Sequence, residues 1–301
     1  MIMCEGAYMD NILEIQNLKK RYKNSQFELN INHFEIPRGF IMGFVGENGS
    51  GKTTTIRCIL NLLKRDSGTI KVFGRELTDK DKKMREDIGV VFDSSVFSKE
   101  LSVNKISKIM QYTYINWDND KYYGLIERFG LSPDNKISTY SKGMLMKLSI
   151  AAALSHTPKL LLLDEATSGL DPVVRDDILD VLLSFVQQEE NSILLSSHIT
   201  SDLEKIADYI TFIDKGGIVL TDKNDDILRK YGVIRCSEEV FRSIDLSDAI
   251  AWRRKGYQVD ILVPDINIAR QKYKELIIDH TNIEEVMLMF AKGERDERCL
   301  S

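Results

Sequence analysis

The 301-residue sequence contains no apolar run long enough to cross a membrane. Even residues 160–163, which are all leucine, are followed by Asp164, far short of the ~18–20 apolar residues that a transmembrane helix requires. The first residues include Glu5 and Asp10 and no continuous apolar segment, so we predict that there is no signal peptide. If the protein acts at a membrane, we expect it to do so through another chain.

The sequence also contains few cysteines and prolines, and it has no excess of positive charge. The 4 cysteines show no paired spacing, so we expect reduced thiols in a cytoplasmic protein. The 46 acidic side chains outnumber the 41 basic ones, which argues against a protein that binds mainly DNA or RNA. With 43% hydrophobic residues, 18 glycines and only 5 prolines, the composition is globular and excludes disordered, collagen-like and disulfide-scaffold proteins.

Short apolar segments separated by helical patterns predict an α/β fold with a parallel sheet. Strands are predicted at residues 12–15, 27–31, 40–45, 88–92, 160–163 and 193–195. A helix is predicted over residues 53–64, and a hairpin over 210–220 that turns at Gly216-Gly217.

The chain divides into a main domain and two appendages. We predict a leader at residues 1–10, a main domain at 11–220 and an accessory subdomain at 221–301. Within the main domain, residues 94–156 have no strand-like run and are broken at Gly130 and Pro133, which predicts an all-helical insertion. The accessory subdomain combines strand-like alternation at 257–261 with a helix near 283–290, so an α+β region is expected.

Residues 46–53, GENGSGKT, match the phosphate-loop pattern G-x-x-x-x-G-K-[ST]. Glycines allow close backbone approach, so successive N–H groups can surround a phosphate at the start of the following helix. Lys52 can then reach the β- and γ-phosphates, and the Thr53 hydroxyl can ligate Mg²⁺. The predicted nucleotide-binding residues of this segment are Gly46, Glu47, Asn48, Gly49, Ser50, Gly51, Lys52, Thr53 and Thr54.

A second acidic element follows the leucine strand. Asp164 would lie at the carboxyl end of that strand, beside the phosphate loop, where it can hold Mg²⁺ directly or through water. Glu165, one residue further, could accept a proton from an attacking water molecule. The guanine-binding pattern N-K-x-D is not completed at 104–107 or 135–138, so nothing selects guanine.

Four further segments occur in the order typical of ABC-type ATPases. Residues 141–144, SKGM, resemble the signature motif, and residues 168–171, SGLD, resemble the D-loop. His198 stands where the switch histidine of the family lies, and Tyr22 where an aromatic residue stacks on adenine. From about residue 11 to 220, the sequence is similar to ABC-transporter ATP-binding subunits, in particular to the bacterial branch that includes antimicrobial-peptide exporters.

The resemblance implies a P-loop NTPase core with an antiparallel β subdomain and an α-helical subdomain. It implies ATP and Mg²⁺ as cofactors, and catalytic roles for Glu165, His198 and Lys52. Ser141 and Gly143 would contact the ATP of a second ABC ATPase, identical or different, in a head-to-tail dimer.

The resemblance also implies transmembrane permease subunits as partners, which would dock on the helical insertion. An aromatic cluster of Tyr112, Tyr114 and Trp117 is a candidate contact for them, or part of the insertion core. The protein would then lie in the cytoplasm at the inner face of the membrane, and the branch favours export.

The sequence departs from the family pattern in two places: the signature, which reads YSKGM at 140–144 where the family typically has LSGGQ, and residue 93. Lys142 replaces a glycine of the signature, and its cation either helps to hold the γ-phosphate or faces solvent, which we expect. Asp93 replaces a glutamine; its carboxylate is a candidate Mg²⁺ ligand, although it adds negative charge near the phosphates.

Other P-loop proteins fit less well. A soluble ABC-type ATPase of DNA repair or translation would usually carry long coiled coils or a second cassette, and neither is found. A P-loop kinase or GTPase would need an acceptor site or a guanine motif. The resemblance implies that the transported substrate contacts the membrane subunits and not this chain.

Overall fold

The computed structural model describes residues 10–23, 26–78, 81–188 and 190–295. The predicted leader, apart from Asp10, lies outside these residues, as do Cys4 and Cys299. The strands are β1 Asn11–Arg21, β2 Glu28–Pro37, β3 Ile41–Val45, β4 Ser67–Val72, β5 Arg75–Glu76, β6 Ile88–Val91, β7 Leu160–Asp164, β8 Ser192–Ser197, β9 Tyr209–Asp214, β10 Gly217–Lys223, β11 Gly232–Ser237, β12 Ala251–Lys255, β13 Gln258–Val263 and β14 Ile278–His280. The helices are α1 Lys52–Ile59, α2 Lys82–Glu86, α3 Val103–Thr113, α4 Asn119–Arg128, α5 Lys142–Leu154, α6 Pro172–Val186, α7 Thr200–Ile206, α8 Asn224–Lys230, α9 Glu238–Phe241, α10 Ile266–Lys272 and α11 Ile283–Lys292.

A six-stranded sheet forms the centre of the molecule, in the order β10-β9-β3-β8-β7-β6. All neighbouring pairs are parallel except β10 and β9, which form the predicted hairpin. Every residue of β3, β7 and β8 is buried, which explains why these strands are nearly continuous apolar runs. Because parallel strands end at one edge of a sheet, the segments that follow β3, β7 and β8 meet there.

A second, antiparallel sheet has the order β2-β1-β4-β5 and packs against the central sheet. The β1 and β2 strands are longer than predicted, while β4 and β5 were not predicted at all. Because β1 ends at Arg21, Tyr22 is the first residue after the end of that strand.

The insertion contains α3, α4 and α5, which pack around the fully buried Tyr122 and its neighbours. Its chain turns at Gly130, where φ is 64°.

Helix α1 is shorter than the predicted helix over 53–64. It ends at Ile59 because Asn61 adopts a left-handed conformation with φ 55°, and the amides of Leu62 and Leu63 return to the carbonyl of Arg57. A left-handed residue of this kind is a common helix stop.

The C-terminal region is α+β. Its antiparallel sheet, in the order β12-β13-β11-β14, carries α9 and α10 on its own small core. Helix α11 packs both on β12 of this sheet and on α7 and β9 of the main domain, so it joins the two regions. The charged segment at 221–230 is the end of β10 followed by α8.

Two further observations bear on location. Cys58 and Cys236 are buried and free of disulfides. Among the residues that the structure describes, no helix is long and apolar enough to span a membrane.

Candidate functional site

A cavity of about 650 Å³ lies at the edge of the central sheet where β3 and β7 end. It brings together residues that are far apart in the sequence. Its lining consists of Tyr22, Phe27, Asn48, Gly49, Gly51, Lys52, Thr53, Thr54, Asp93 and Glu165. All of these except Phe27 were predicted as site residues.

The loop between β3 and α1 needs its glycines. Gly49 and Gly51 have φ values of 83° and 120°, which side chains rarely allow. A Cβ atom on Gly46 would lie 2.4 Å from the carbonyl oxygen of Ile213, so β9 packs directly against the loop. The Ser50 hydroxyl is buried without a hydrogen-bond partner among the described atoms, which leaves it free to donate to a ligand.

Lys52 is almost completely buried, with 5% of its surface exposed. Its Nζ donates to the carbonyl oxygens of Gly46 at 2.7 Å and Glu47 at 3.2 Å. It also lies 3.2 Å from Oε1 of Glu165. The loop therefore holds a buried cation at the floor of the cavity, next to an acid.

Asp164, the last residue of β7, and Glu165, which follows it, are both held by hydrogen bonds from or to β8. The Ser196 hydroxyl donates to Oδ1 of the buried Asp164 at 2.8 Å. The amide of Glu165 donates to the Ser196 carbonyl at 3.1 Å, and Glu165 itself has φ 55°. Sequence reasoning missed Ser196, although the polar pair Ser196-Ser197 at the end of an apolar strand was a visible signal.

His198 is joined to the second acid. Its Nδ1 lies 2.6 Å from Oε2 of Glu165, and its ring is exposed. Glu165 thus stands between the Lys52 cation and the His198 imidazole.

Two aromatic rings form the outer wall of the cavity. The Tyr22 hydroxyl lies 3.2 Å from the Thr54 hydroxyl, in hydrogen-bond contact. The Tyr22 and Phe27 ring centroids are 6.5 Å apart. Phe27 was predicted only as the start of a strand.

Ser141 and Gly143 do not belong to the described lining of this cavity. Ser141 caps α5, with its hydroxyl accepting from the Met144 amide at 3.3 Å. Gly143 faces Val174 of α6, because a Cβ there would lie 3.1 Å from Cγ1 of that valine. Lys142 is exposed, as expected, but its Nζ also donates to the Ser168 carbonyl at 2.7 Å.

Tyr112, Tyr114 and Trp117, the candidate permease contact, do not form one cluster. Tyr112 is 93% exposed, whereas Tyr114 stacks on His156 with ring centroids 4.1 Å apart. Trp117 packs against Tyr122 and is half-buried. Of the two alternatives, packing within the insertion therefore holds for Tyr114 and Trp117, and only Tyr112 is left exposed as a candidate contact for another chain.

A smaller cavity of about 280 Å³ lies between the insertion and the end of β6. Its lining is mainly apolar and includes Val96, Phe97, Met110, Tyr114 and His156.

Comparison with known proteins identifies relatives of one kind. The ABC transporter family matches residues 29–168. The lantibiotic transport ATP-binding protein SrtF of Streptococcus pyogenes is 36% identical over 216 residues, which are 71% of this chain and 92% of SrtF. The bacitracin transport ATP-binding protein BcrA of Bacillus licheniformis is 34% identical, over 70% of this chain and 69% of BcrA.

Two solved structures that are similar to this chain are also components of ABC transporters. An ATP-binding subunit of an ABC transporter superposes with a TM-score of 0.65 at 27% identity, covering 72% of this chain and 91% of that subunit. The cbiO1 protein of Clostridium perfringens, part of the ABC transporter complex cbiONQ, has a TM-score of 0.62 at 26% identity, covering 72% and 90%.

Proposed function

We propose that this chain, which belongs to the ATP-binding subunits of bacterial ABC transporters, powers an exporter by closing head-to-tail dimers around ATP. The observation that carries the proposal is the contact of Lys52, Glu165 and His198 at one cavity. These are a phosphate-binding cation, an acid and a hydrogen-bonding imidazole, which together suit hydrolysis of a terminal phosphate.

ATP would lie with its base against Tyr22 and its phosphates in the loop at 46–51. An aromatic ring offers stacking to a base, and the contact with Thr54 restrains the tyrosine. Phe27, on the same wall, would add a second apolar surface for the base. The loop amides, the start of α1 and Lys52 would bind the phosphate charge.

The donor set fits magnesium. Thr53 and Asp93 line the cavity, and the buried Asp164 directly precedes Glu165, which also lines it. Thr53, Asp93 and Asp164 all supply the hard oxygen ligands that Mg²⁺ prefers. No group of three or more His, Cys, Asp or Glu side chains within the described ranges could hold a metal alone, so phosphate oxygens would complete the shell. When bound, the ion would neutralise charge on the β- and γ-phosphates.

Glu165 is positioned to act as general base. A water molecule would attack the γ-phosphorus, its proton would pass to the Glu165 carboxylate, and the bond to the β-phosphate oxygen would break, giving ADP and phosphate. His198 orients the carboxylate through their contact, and Lys52 balances the charge of the transferring group. General-base assistance of this kind is worth ~10²–10⁴ in rate.

The second half of each site would come from another ATPase subunit. Ser141 and Gly143 lie at the start of α5, away from the cavity of their own chain, and a capped helix start is suited to bind an anion. A second copy facing head-to-tail would bring this segment to the γ-phosphate. Hydrolysis would then release the dimer.

Membrane subunits would dock on the insertion. The apolar cavity beside β6 could accept a short helix of a permease, and the exposed Ile109, Tyr112 and Ile115 extend the apolar surface of the insertion.

The names of SrtF and BcrA refer to transport of a lantibiotic and of bacitracin, which favours a peptide-like exported substrate. These names do not favour the alternative of a soluble ATPase in DNA repair or translation. The protein would lie at the cytoplasmic face of the membrane.

Replacement of the base tests the proposal. Glu165→Gln keeps the shape of the side chain but removes its ability to take a proton. We expect ATP binding to persist, the hydrolysis rate to fall by about 10²–10⁴, and ATP-bound dimers to accumulate in gel filtration. Lys52→Ala is the matched control, for which calorimetry should detect no ATP binding and gel filtration no dimer.

Hydrolysis at the parental rate in Glu165→Gln would show that this residue is not the base. A monomeric Glu165→Gln protein at saturating ATP would exclude the dimerisation mechanism, even if turnover is lost.

A further inference from the structure

Lys142 links two segments of this chain that the fold keeps apart in sequence. It is the first residue of α5, and its Nζ donates to the Ser168 carbonyl at 2.7 Å. A Cβ atom on Gly169 would lie 3.1 Å from the same Nζ, so the amine fills the space beside that glycine. The lysine amine therefore lies against the first two residues of the turn at 168–171.

The turn leads directly to the general base. The Ser168 amide donates to the Glu165 carbonyl at 3.1 Å, so residues 165–168 form a closed turn. A path of hydrogen bonds therefore runs from Lys142 through Ser168 to the residue that would take the proton. Ser141, which precedes the lysine, is the group that would contact the ATP of a second copy.

We propose that Lys142 is a positioning residue that couples the two composite ATP sites of the dimer, an inference that rests on the proposed function. When the start of α5 binds the γ-phosphate held by the second copy, the hydrogen bond from Lys142 to Ser168 moves the turn at 168–171. The turn then holds Glu165 beside the ATP of its own chain. Each site is then competent only when the other is closed. The lysine acts through the turn and does not contact the reacting atoms.

The same helix provides a matched control. Lys147 also reaches from α5 to α6, where its Nζ lies 2.6 Å from Oδ2 of Asp177. It is more buried than Lys142, and its amine pairs with Asp177 and lies over the Phe129 ring, so it contributes to the packing around α5. Loss of packing alone should therefore appear at least as strongly in Lys147→Ala.

The experiment measures hydrolysis by the full chain as a function of ATP concentration. The parental protein should show a Hill coefficient above 1 and at most about 2, the number of composite sites. In Lys142→Ala this coefficient should fall to about 1 and the maximal rate by about two- to thirtyfold. Lys142→Arg, which keeps a donor on a long side chain, and Lys147→Ala should both retain the parental cooperativity. Calorimetric ATP affinity should be the same in all four proteins.

A parental Hill coefficient of 1, or parental cooperativity in Lys142→Ala, would overturn the inference. So would equal loss of cooperativity in Lys142→Ala and Lys147→Ala, because helix packing would then be the cause. The dimer formed by Glu165→Gln separates this test from the proposed function. If that dimer forms while Lys142→Ala behaves like the parent, only the coupling role fails.

Discussion

At the scale of single residues, the candidate site depends on side chains whose partners hold them in one orientation. Glu165 has a left-handed backbone, and its amide is fixed by β8. Its two carboxylate oxygens face different partners, Lys52 and His198. If Glu165 is the general base that we propose, its carboxylate needs little reorganisation before it accepts a proton, and such preorganisation is a main source of enzymatic rate enhancement.

His156 shows how burial of one residue makes stability depend on pH. Its side chain is buried below the stacked ring of Tyr114, and its Nδ1 lies 2.8 Å from the Glu86 carbonyl oxygen. Burial lowers the pKa of His156 below its ordinary value of 6.5, against a smaller opposing effect of that hydrogen bond. As the pH falls below about 6.5, the unfolded chain therefore binds a proton at this residue before the folded chain does. The free energy of unfolding consequently decreases as the pH is lowered.

We predict that His156→Asn reduces the loss of stability between pH 7.5 and 5.5. The parent should lose free energy of unfolding by up to about 1.4 kcal/mol per pH unit from this group, whereas asparagine keeps a hydrogen-bond donor and does not titrate. Urea unfolding at the two pH values measures the difference. Identical pH dependence in His156→Asn and the parent would exclude this residue as the source.

At the scale of elements, local sequence patterns predicted the strands that carry the site. The buried strands β3, β7 and β8 are short apolar runs that end in glycine or polar residues, so both their type and their functional ends were visible. The phosphate loop has a fixed spacing, because its backbone must surround a phosphate. These features depend on neighbouring residues alone.

Features that depend on distant residues were not predictable. Strand β4 is recognisable only through its pairing with β1, about fifty residues earlier, where Ile15 lies opposite Ile70. The contacts of Ser196 with Asp164 and of Lys142 with Ser168 join segments that only the folded chain brings together.

One local feature was also predicted wrongly. The end of α1 was placed too late, because the apolar pattern continues past the left-handed Asn61.

The start of helix α11 is capped by the side chain of Asn282. The Asn282 side chain accepts from the Glu285 amide at 2.8 Å, and the Ile283 amide donates to Glu204 of α7 at 2.9 Å. We predict that Asn282→Ala lowers the free energy of unfolding by about 0.5–2 kcal/mol, measured by urea denaturation. Asn282→Asp keeps an acceptor oxygen and should be close to the parent. An alanine variant as stable as the parent would show that the contacts with α7, and not the cap, hold the start of this helix.

At the scale of the whole molecule, the C-terminal region shares a core with the ATPase. Val286, Met289 and Phe290 of α11 belong to the same cluster of buried side chains as Leu203 and Phe212. The Phe290 and Phe212 ring centroids are 5.6 Å apart. Residues 221–295 should therefore unfold together with the nucleotide-binding core, and a substitution near residue 295 should change the stability of that core.

Arg295 joins the end of the described chain to the phosphate loop. Its Nη2 donates to Oδ2 of Asp214 at 2.5 Å and to the Phe290 carbonyl at 2.6 Å, and both charged side chains are less than one-fifth exposed. Two residues after Asp214, the Gly216 amide donates to the Ser50 carbonyl of the loop at 2.9 Å. The tail thus supports the turn on which the loop rests.

We predict that Arg295→Gln lowers the free energy of unfolding by about 1–3 kcal/mol, because it leaves a mostly buried carboxylate without its charged partner. Urea denaturation should give one transition, shifted to lower urea by both near- and far-ultraviolet circular dichroism. Arg254→Gln, at an exposed arginine that pairs with Glu238 and Glu294, is the matched control and should cause a smaller loss. A double variant with Asp214→Asn should lose less than the sum of the single variants, because the two residues share one interaction. Additive losses, or two separate transitions, would mean that the C-terminal region is energetically independent of the loop that binds ATP.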